Sequence, residues 1–556
     1  MQKREFCRVY RQSDKRERSD GLTYATDRRS RRFAALVLTA ALLFGGLFPG
    51  TVRADEDQQK VLRYVNYYPV DFGHINPSQE MENTEYTVAY HVLEGLMRIY
   101  QYQLQYGMAD SYEISTDGLT YTFHIRENAY YSDGTPVTAY DFERAFNRVM
   151  KENPDLDYIR MIKNAEKIAK GTEKVGRLGV KTKNAYTFQI ELEYPDARFL
   201  YYLALPAFAP VRKDAGEYVT AEACNGPFYL KEAEDGTFCR LEKNPWYWNR
   251  KHICLDAIES VYYPDSGKAR EALREGKADV VPVATAELEE KEGEVGQKAM
   301  TGTYDGLYLD LHEESILRNR NLRLALNYCL DRKAYAEELG NGLIEPNARY
   351  VPPIGEGICQ RYIKRNPDGG IPLKGDQEKA EKYLNLALEE LHIADAAVIH
   401  LSFAVHDDYW SKEEAAAIAK QWEEKLGITV ELNYMDDKTL SEEMEHNGGV
   451  ALYGSQEEFS DPAEYLQRWD YEYLPKEQSN VRQFHQYMIQ AKNQTDEQIR
   501  FNMLYEAERL LLEDSPYIPL QLRYEMLVLN PALTGFETSA DLSGSQYEFI
   551  YADFKE

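Results

Sequence analysis

The chain has 556 residues, 43% of them hydrophobic, which supports roughly two to four packed domains and argues against a disordered or fibrous chain. Its 93 acidic and 65 basic residues give a net charge of −28, which repels phosphate and excludes nucleic acid as an expected partner. The aromatic load includes 44 Tyr and 5 Trp, and tyrosine's apolar body and polar tip suit wet binding surfaces.

Charge is unevenly placed. Residues 1–54 hold 12 Lys/Arg and 5 Asp/Glu, a net of +7, which leaves −35 for the remainder. Arg28, Arg29, Arg31 and Arg32 precede FAALVLTAALLFGGLF, an apolar run of 16 residues, and Val52 and Ala54 then sit where a signal peptidase reads. This three-part layout predicts a signal peptide over 1–54 and a chain exported across the cytoplasmic membrane, with an uncleaved anchor as the alternative. Cys7 lies before the apolar run and cannot be a lipid-bearing cysteine. Cys224, Cys239, Cys254, Cys329 and Cys359 remain, too widely spaced for a disulfide framework or a metal pair.

TYTFHIR (120–126) alternates, with Tyr121, Phe123 and Ile125 on one side, and predicts a half-buried strand. His124 is read as an exposed residue of that strand, not a ligand. SDGTP is a turn, Thr138 and Asp141 resemble a capping box, and Phe142, Ala145, Phe146 and Val149 recur at helical spacing. FYLKEAEDGTFCRLEKN (228–244) predicts a hairpin turning at Asp235-Gly236. LRLALNYCLDRKAYAEEL (322–339) predicts one helix with Leu322, Ala325, Leu326 and Cys329 along a stripe, which makes Cys329 a core thiol.

From 376 to 470 the elements alternate. Asp376 caps a helix, VIHLSFAV (398–405) is a strand, and Ser411 with Glu414 forms a capping box for a helix over 412–426 that stops at Gly427. ITVELNY (428–434) is a strand turning Ile428, Val430, Leu432 and Tyr434 inward. Strand, helix and strand with short links predict a parallel pair. VALY (450–453) is a further strand ending at Gly454, and Asp461-Pro462 starts another helix as N-cap and first residue. The loop GSQEEFS (454–460) thus lies at the carboxyl end of a strand, the edge where open α/β sheets gather ligands. Glu457 and Glu458 sit there, and residue chemistry alone also allows two solvated carboxylates. No GxSxG, HExxH, P-loop or GxGxxG occurs, and no His spacing suits a metal, so neither catalysis nor a cofactor is expected.

DGLTYTFHIRENAYYSDGTPVTAYDFERAFNRV resembles the diagnostic segment of the family 5 extracytoplasmic solute-binding proteins, the oligopeptide-binding proteins of ABC importers. Further segments follow in the family's order: HVLEGL (91–96), CNGPFYLKEAEDGTFCRLEKNPWYWN (224–249), LRLALNYCLDR (322–332), EEFSDPAEYL (457–466) and EDSPYIPLQ (513–521). The resemblance implies an α/β, bilobal periplasmic-binding-protein-like fold, type II in its large three-domain form, with hinged lobes and mixed sheets. Lobe 1 would be built from 55–98, 206–303 and 515–556, with an accessory domain at 99–205 packed on it, and lobe 2 would span 304–514.

The implied role is capture without catalysis. An extended oligopeptide would lie between the lobes, paired through its backbone, and the closed protein, a monomer, would deliver it to the ABC permease subunits. Burying the peptide's terminal ammonium requires a carboxylate partner. Peptide-binding relatives place an acidic residue three positions before an acid-Pro pair; here that residue is Glu458, a departure from the usual Asp. Ser455-Gln456-Glu457 stand where the family has Trp-Gly-Ala, so Gly454, Tyr453 and Ser455 join Glu458 as expected ligand-binding residues, with Tyr453 a replacement for the missing tryptophan wall. Asp461 is read as a helix cap. The alternatives are an oligosaccharide, nickel chelate or haem held in the same fold, and, from another class, a secreted hydrolase. The expected location is periplasmic or cell-surface associated.

Overall fold

The computed structural model describes residues 59–555, apart from 284–294, 456–459, 470–479, 540–545 and positions 80, 82, 102, 235, 341, 355, 356, 368, 447 and 448. The expected signal segment at 1–54 and Glu458 lie outside the described residues.

A small antiparallel sheet is built in the order Ala109–Ile114, Thr120–Ile125, Thr187–Glu191 and Val180–Asn184. Alternation works as expected, since Tyr121, Phe123 and Ile125 are buried while His124 is half-buried. Helix Ala139–Glu152 covers one face. The Asp141 carboxylate accepts from the Thr138 amide at 2.7 Å and from its hydroxyl at 2.8 Å, fixing the helix start. Phe142, Ala145, Phe146 and Val149 are all sealed from solvent, and Phe146 stacks on Phe208 with ring centroids 4.4 Å apart.

The main sheet has 11 strands. Ten follow one another in the order Thr429–Met435, His400–His406, Val450–Ser455, Val295–Leu309, Tyr517–Leu529, Val280–Val283, Val61–Asn66, Ala257–Tyr262, Phe238–Lys243 and Phe228–Glu234. The eleventh, Ile344–Pro346, pairs beside Tyr517–Leu529. The sheet is mixed, with Val61–Asn66 parallel to Ala257–Tyr262 and His400–His406 parallel to Thr429–Met435, as the strand-helix-strand pattern requires.

Two long strands, Val295–Leu309 and Tyr517–Leu529, run antiparallel through the middle and belong to both ends of the sheet. Their register shifts between Met300 and Tyr304, and Thr301 Oγ1 bridges the break by donating to the Arg523 carbonyl at 2.9 Å. Beyond the break Gly306 is indispensable, because a Cβ there would stand 2.2 Å from the Tyr517 ring.

Two large apolar cores flank this crossing. One gathers the small sheet, strand Val61–Asn66 and the helices Pro462–Gln467, Val481–Lys492 and Glu497–Asp514. The other surrounds fully buried Trp422 on helix Tyr409–Leu426, against strands His400–His406 and Val450–Ser455. The span 304–514 therefore feeds both cores.

Three local expectations need correction. The stretch 322–339 is two helices, Arg320–Cys329 and Arg332–Leu339, because Asp331 turns its carboxylate onto the Ala334 amide at 2.9 Å and opens a new helix. Cys329 is a buried thiol as expected. Helix Tyr409–Leu426 begins one turn before the Ser411 box, capped by Asp408, which accepts from the Ser411 amide at 2.9 Å. Tyr434 is 47% exposed, since its strand forms the edge of the sheet and lacks cover there.

Candidate functional site

Strand Val450–Ser455 runs two residues further than its sequence suggests. Tyr453, Gly454 and Ser455 pair with Gly306, Asp305 and Tyr304, so Gly454 and Ser455 belong to the ladder. Gly454 reads as a stop signal, but its role is packing. A Cβ there would come within 2.8 Å of Asp305 Oδ1, so glycine lets a buried carboxylate approach the strand. Ser455 is buried, and its Oγ shares a hydrogen bond with Tyr308 Oη at 2.8 Å. Tyr453 is half-buried, edge-on to Tyr308 with centroids 6.0 Å apart. These three candidates share one strand end, with Glu458 beyond it outside the described residues. Asp461 then caps helix Pro462–Gln467 by accepting from the Ala463 amide at 2.8 Å, as expected.

Behind this strand end lies an aromatic group that spacing alone did not reveal. Trp469 stacks on Tyr517 with centroids 4.4 Å apart, and Tyr308 and Tyr350 close on the same pair. Among the described residues the Trp469 Nε1–H and the Tyr517 hydroxyl are buried without a hydrogen-bond partner.

Below them is a charged group at the strand crossing. Arg523 is paired with both Asp305 and Glu414, its contact to Glu414 being 2.7 Å long. Gln521 Nε2 donates to Asp305 at 2.6 Å and to Glu414 at 3.2 Å. Both carboxylates are buried. Burial pushes the Glu414 carboxyl above its ordinary range, with Arg523 opposing and Asp305 adding to the rise. Burial also acts against the Arg523 charge, but the two carboxylates outweigh it and hold the guanidinium well above its usual value. Glu414, expected as half of a capping box, is instead part of this cluster because the helix starts earlier at Asp408. Its sequence spacing fits both roles, and only the fold separates them.

Among the described residues no group of three or more His, Cys, Asp or Glu is placed to hold a metal ion, and none of their helices is long and apolar enough to cross a membrane. What the site offers is a strand end, buried donors, aromatic surface and a fixed set of charges, a vocabulary of binding.

The family model "Bacterial extracellular solute-binding proteins, family 5 Middle" matches residues 103–473. The chain belongs to this family. The oligopeptide-binding protein OppA of Bacillus subtilis (strain 168) is 26% identical over 536 residues, covering 90% of this chain and 94% of its own. Two solved structures share the fold. The oligopeptide ABC transporter substrate-binding domain of Bacillus anthracis str. Ames has a TM-score of 0.67 at 23% identity, covering 90% of this chain and 100% of that one. Haemophilus influenzae OppA, in complex with RPPGFSPFR, has a TM-score of 0.67 at 22% identity over 90% of this chain and 100% of that one. The α/β periplasmic-binding-protein-like fold expected from sequence is the fold these structures have.

Proposed function

We propose that this family 5 solute-binding protein is the substrate-binding component of an ABC importer, which captures an extended oligopeptide between two lobes and delivers it unaltered to membrane permease subunits. One observation carries the reading: two apolar cores joined through a pair of long strands whose register breaks midway, with the strand end Tyr453–Ser455 paired beside that break. Such a crossing suits a hinge. The relatives' names supply the guest. Lobe 1 then comprises 55–98, 206–303 and 515–556, the accessory domain 99–205, and lobe 2 304–514. Residues 1–54 export the chain, which works as a monomer in the periplasm or at the cell surface, without catalysis.

Within the cleft the peptide's backbone pairs with protein strands, each bond contributing about 0.5–1.5 kcal/mol net. Glu458 neutralises the terminal ammonium, while Tyr453, Gly454 and Ser455 form the strand end against which the peptide's first residues lie. Native mass spectrometry of the purified protein tests this. Co-purified peptides of intact sequence are expected, and Glu458→Ala should empty the cleft. Retention of the same peptides by that variant removes Glu458 from the site, and a non-peptide guest or fragments replacing an added peptide overturn the function.

A further inference from the structure

One face of helix Arg320–Cys329 carries Arg320, Leu324 and Tyr328 at helical spacing, and one face of helix Glu497–Asp514 carries Tyr505, Arg509 and Leu512. With Tyr383 of helix Gln377–Glu390 and the 369–371 loop, these two faces bound a cavity of about 200 Å³. None of Tyr453, Gly454 and Ser455 lines it.

Its inner wall is apolar or already paired. Leu324 and Ile371 are buried, and Tyr328 stacks on Tyr383 with ring centroids 5.6 Å apart. Glu508 is buried and accepts from Arg349 Nη2 at 2.7 Å, from the Val351 amide at 3.0 Å and from the Tyr362 hydroxyl at 2.8 Å. Its charge is therefore spent within the protein. The rim differs. The Arg320 and Arg509 side chains are 44% and 41% exposed, and both reach Glu513. Arg320 donates through Nε to the Glu513 carbonyl at 2.7 Å, and that nitrogen lies 3.5 Å from Asp514 Oδ1. Arg509 donates through Nε to Glu506 at 3.0 Å and through Nη1 to one Glu513 oxygen, whose other oxygen accepts from Asn480 at 3.2 Å. Among the described residues, Nη1 and Nη2 of Arg320 and Nη2 of Arg509 have no hydrogen-bond partner. The spare polar capacity at this cavity is thus donors on two cations, which calls for an anionic acceptor. Guanidinium forks match a carboxylate, and on a chain of net charge −28 an anion needs such cations to approach. An apolar cavity of about 150 Å³ takes up benzene, so this one has room for a single ring and a short charged arm.

We propose that this cavity is a second binding site, for a small aromatic carboxylate whose ring lies among Leu324, Tyr328 and Leu512 and whose carboxylate rests on Arg320 and Arg509. The site stands independently of peptide capture at the strand end. Phenylacetate serves as the probe, with phenylacetamide as its uncharged counterpart, each titrated into the purified protein and read by saturation-transfer NMR. Phenylacetate should saturate with a Kd of about 1 mM or below. The amide should bind at least about tenfold more weakly, and Arg320→Gln and Arg509→Gln should each weaken phenylacetate by about tenfold or more. Leu512→Trp, which fills the space and leaves every charge in place, should abolish binding. No saturable signal from wild type, or equal affinity for the amide, overturns the site without any variant. Wild-type affinity in either arginine variant or in Leu512→Trp also overturns it, because the probe then binds elsewhere.

Discussion

Arg500 grips both oxygens of the Asp461 carboxylate, at 2.8 and 2.6 Å, with both side chains buried. Asp461 thereby does two jobs, capping the helix after the ligand loop and neutralising a cation on helix Glu497–Asp514. Asn is as good a cap as Asp but carries no charge. Asp461→Asn should therefore cost about 3–5 kcal/mol in urea unfolding, the penalty of an unpaired buried cation. A loss below about 1 kcal/mol would show that the cap is the larger role.

His91 is fully buried, with Nδ1 2.6 Å from the Thr87 carbonyl and Nε2 accepting from the Phe549 amide at 2.9 Å. The ring is thus neutral and protonated at Nδ1, and burial pulls its pKa from 6.5 down to about 4. Between those values the unfolded chain binds a proton that the native ring refuses. The stability from His91 is present above about pH 6.5 and is lost progressively as pH falls to about 4, by about 3 kcal/mol. Urea unfolding at pH 7 and 4.5 should show a steeper acid loss in wild type than in His91→Gln.

Glu525 carries the opposite sign. Its carboxylate accepts one hydrogen bond, from Tyr547 Oη at 3.0 Å, and burial pushes its pKa from 4.5 up to about 7. Its contribution is intact below about pH 4.5 and is lost as pH rises to about 7. Glu525→Gln can still accept from Tyr547 and cannot ionise. It should melt above wild type at pH 8 and level with it at pH 4.5 in a thermal scan; equal melting at pH 8 would refute the raised pKa.

Gly306→Ala drives a methyl into the Tyr517 ring and to 2.6 Å from the Ile518 carbonyl. A loss of about 1–3 kcal/mol or more is expected in denaturant. Tyr517→Phe should not rescue it, because a ring carbon lies as close as the hydroxyl.

What could be read from the chain was local. The Thr138–Asp141 cap, the Asp461-Pro462 helix start and the inward set Tyr121, Phe123 and Ile125 all depend on neighbours within a few residues. The parallel pair of His400–His406 and Thr429–Met435 followed from link length. What stayed hidden depends on partners far along the chain. Arg198 and Glu464 are 266 residues apart, and Glu414 and Arg523 are 109 apart. Ser455 looked like a loop residue because Gly454 resembles a stop, whereas the glycine answers to Asp305 across the ladder. Tyr434 looked inward because alternation does not tell a central strand from an edge. Trp469 stacks on Tyr517, which no periodicity connects to it.

Strand Tyr517–Leu529 sits fifth of ten along the main path of the sheet, between Val295–Leu309 and Val280–Val283, yet it comes from the last 40 residues of the chain. Until that piece emerges, two neighbouring strands have no partner along their facing edges and neither half of the sheet can be sealed. Strand Tyr517–Leu529 must therefore be made before the native ladder can close, so the two halves of the sheet complete together and not one after the other.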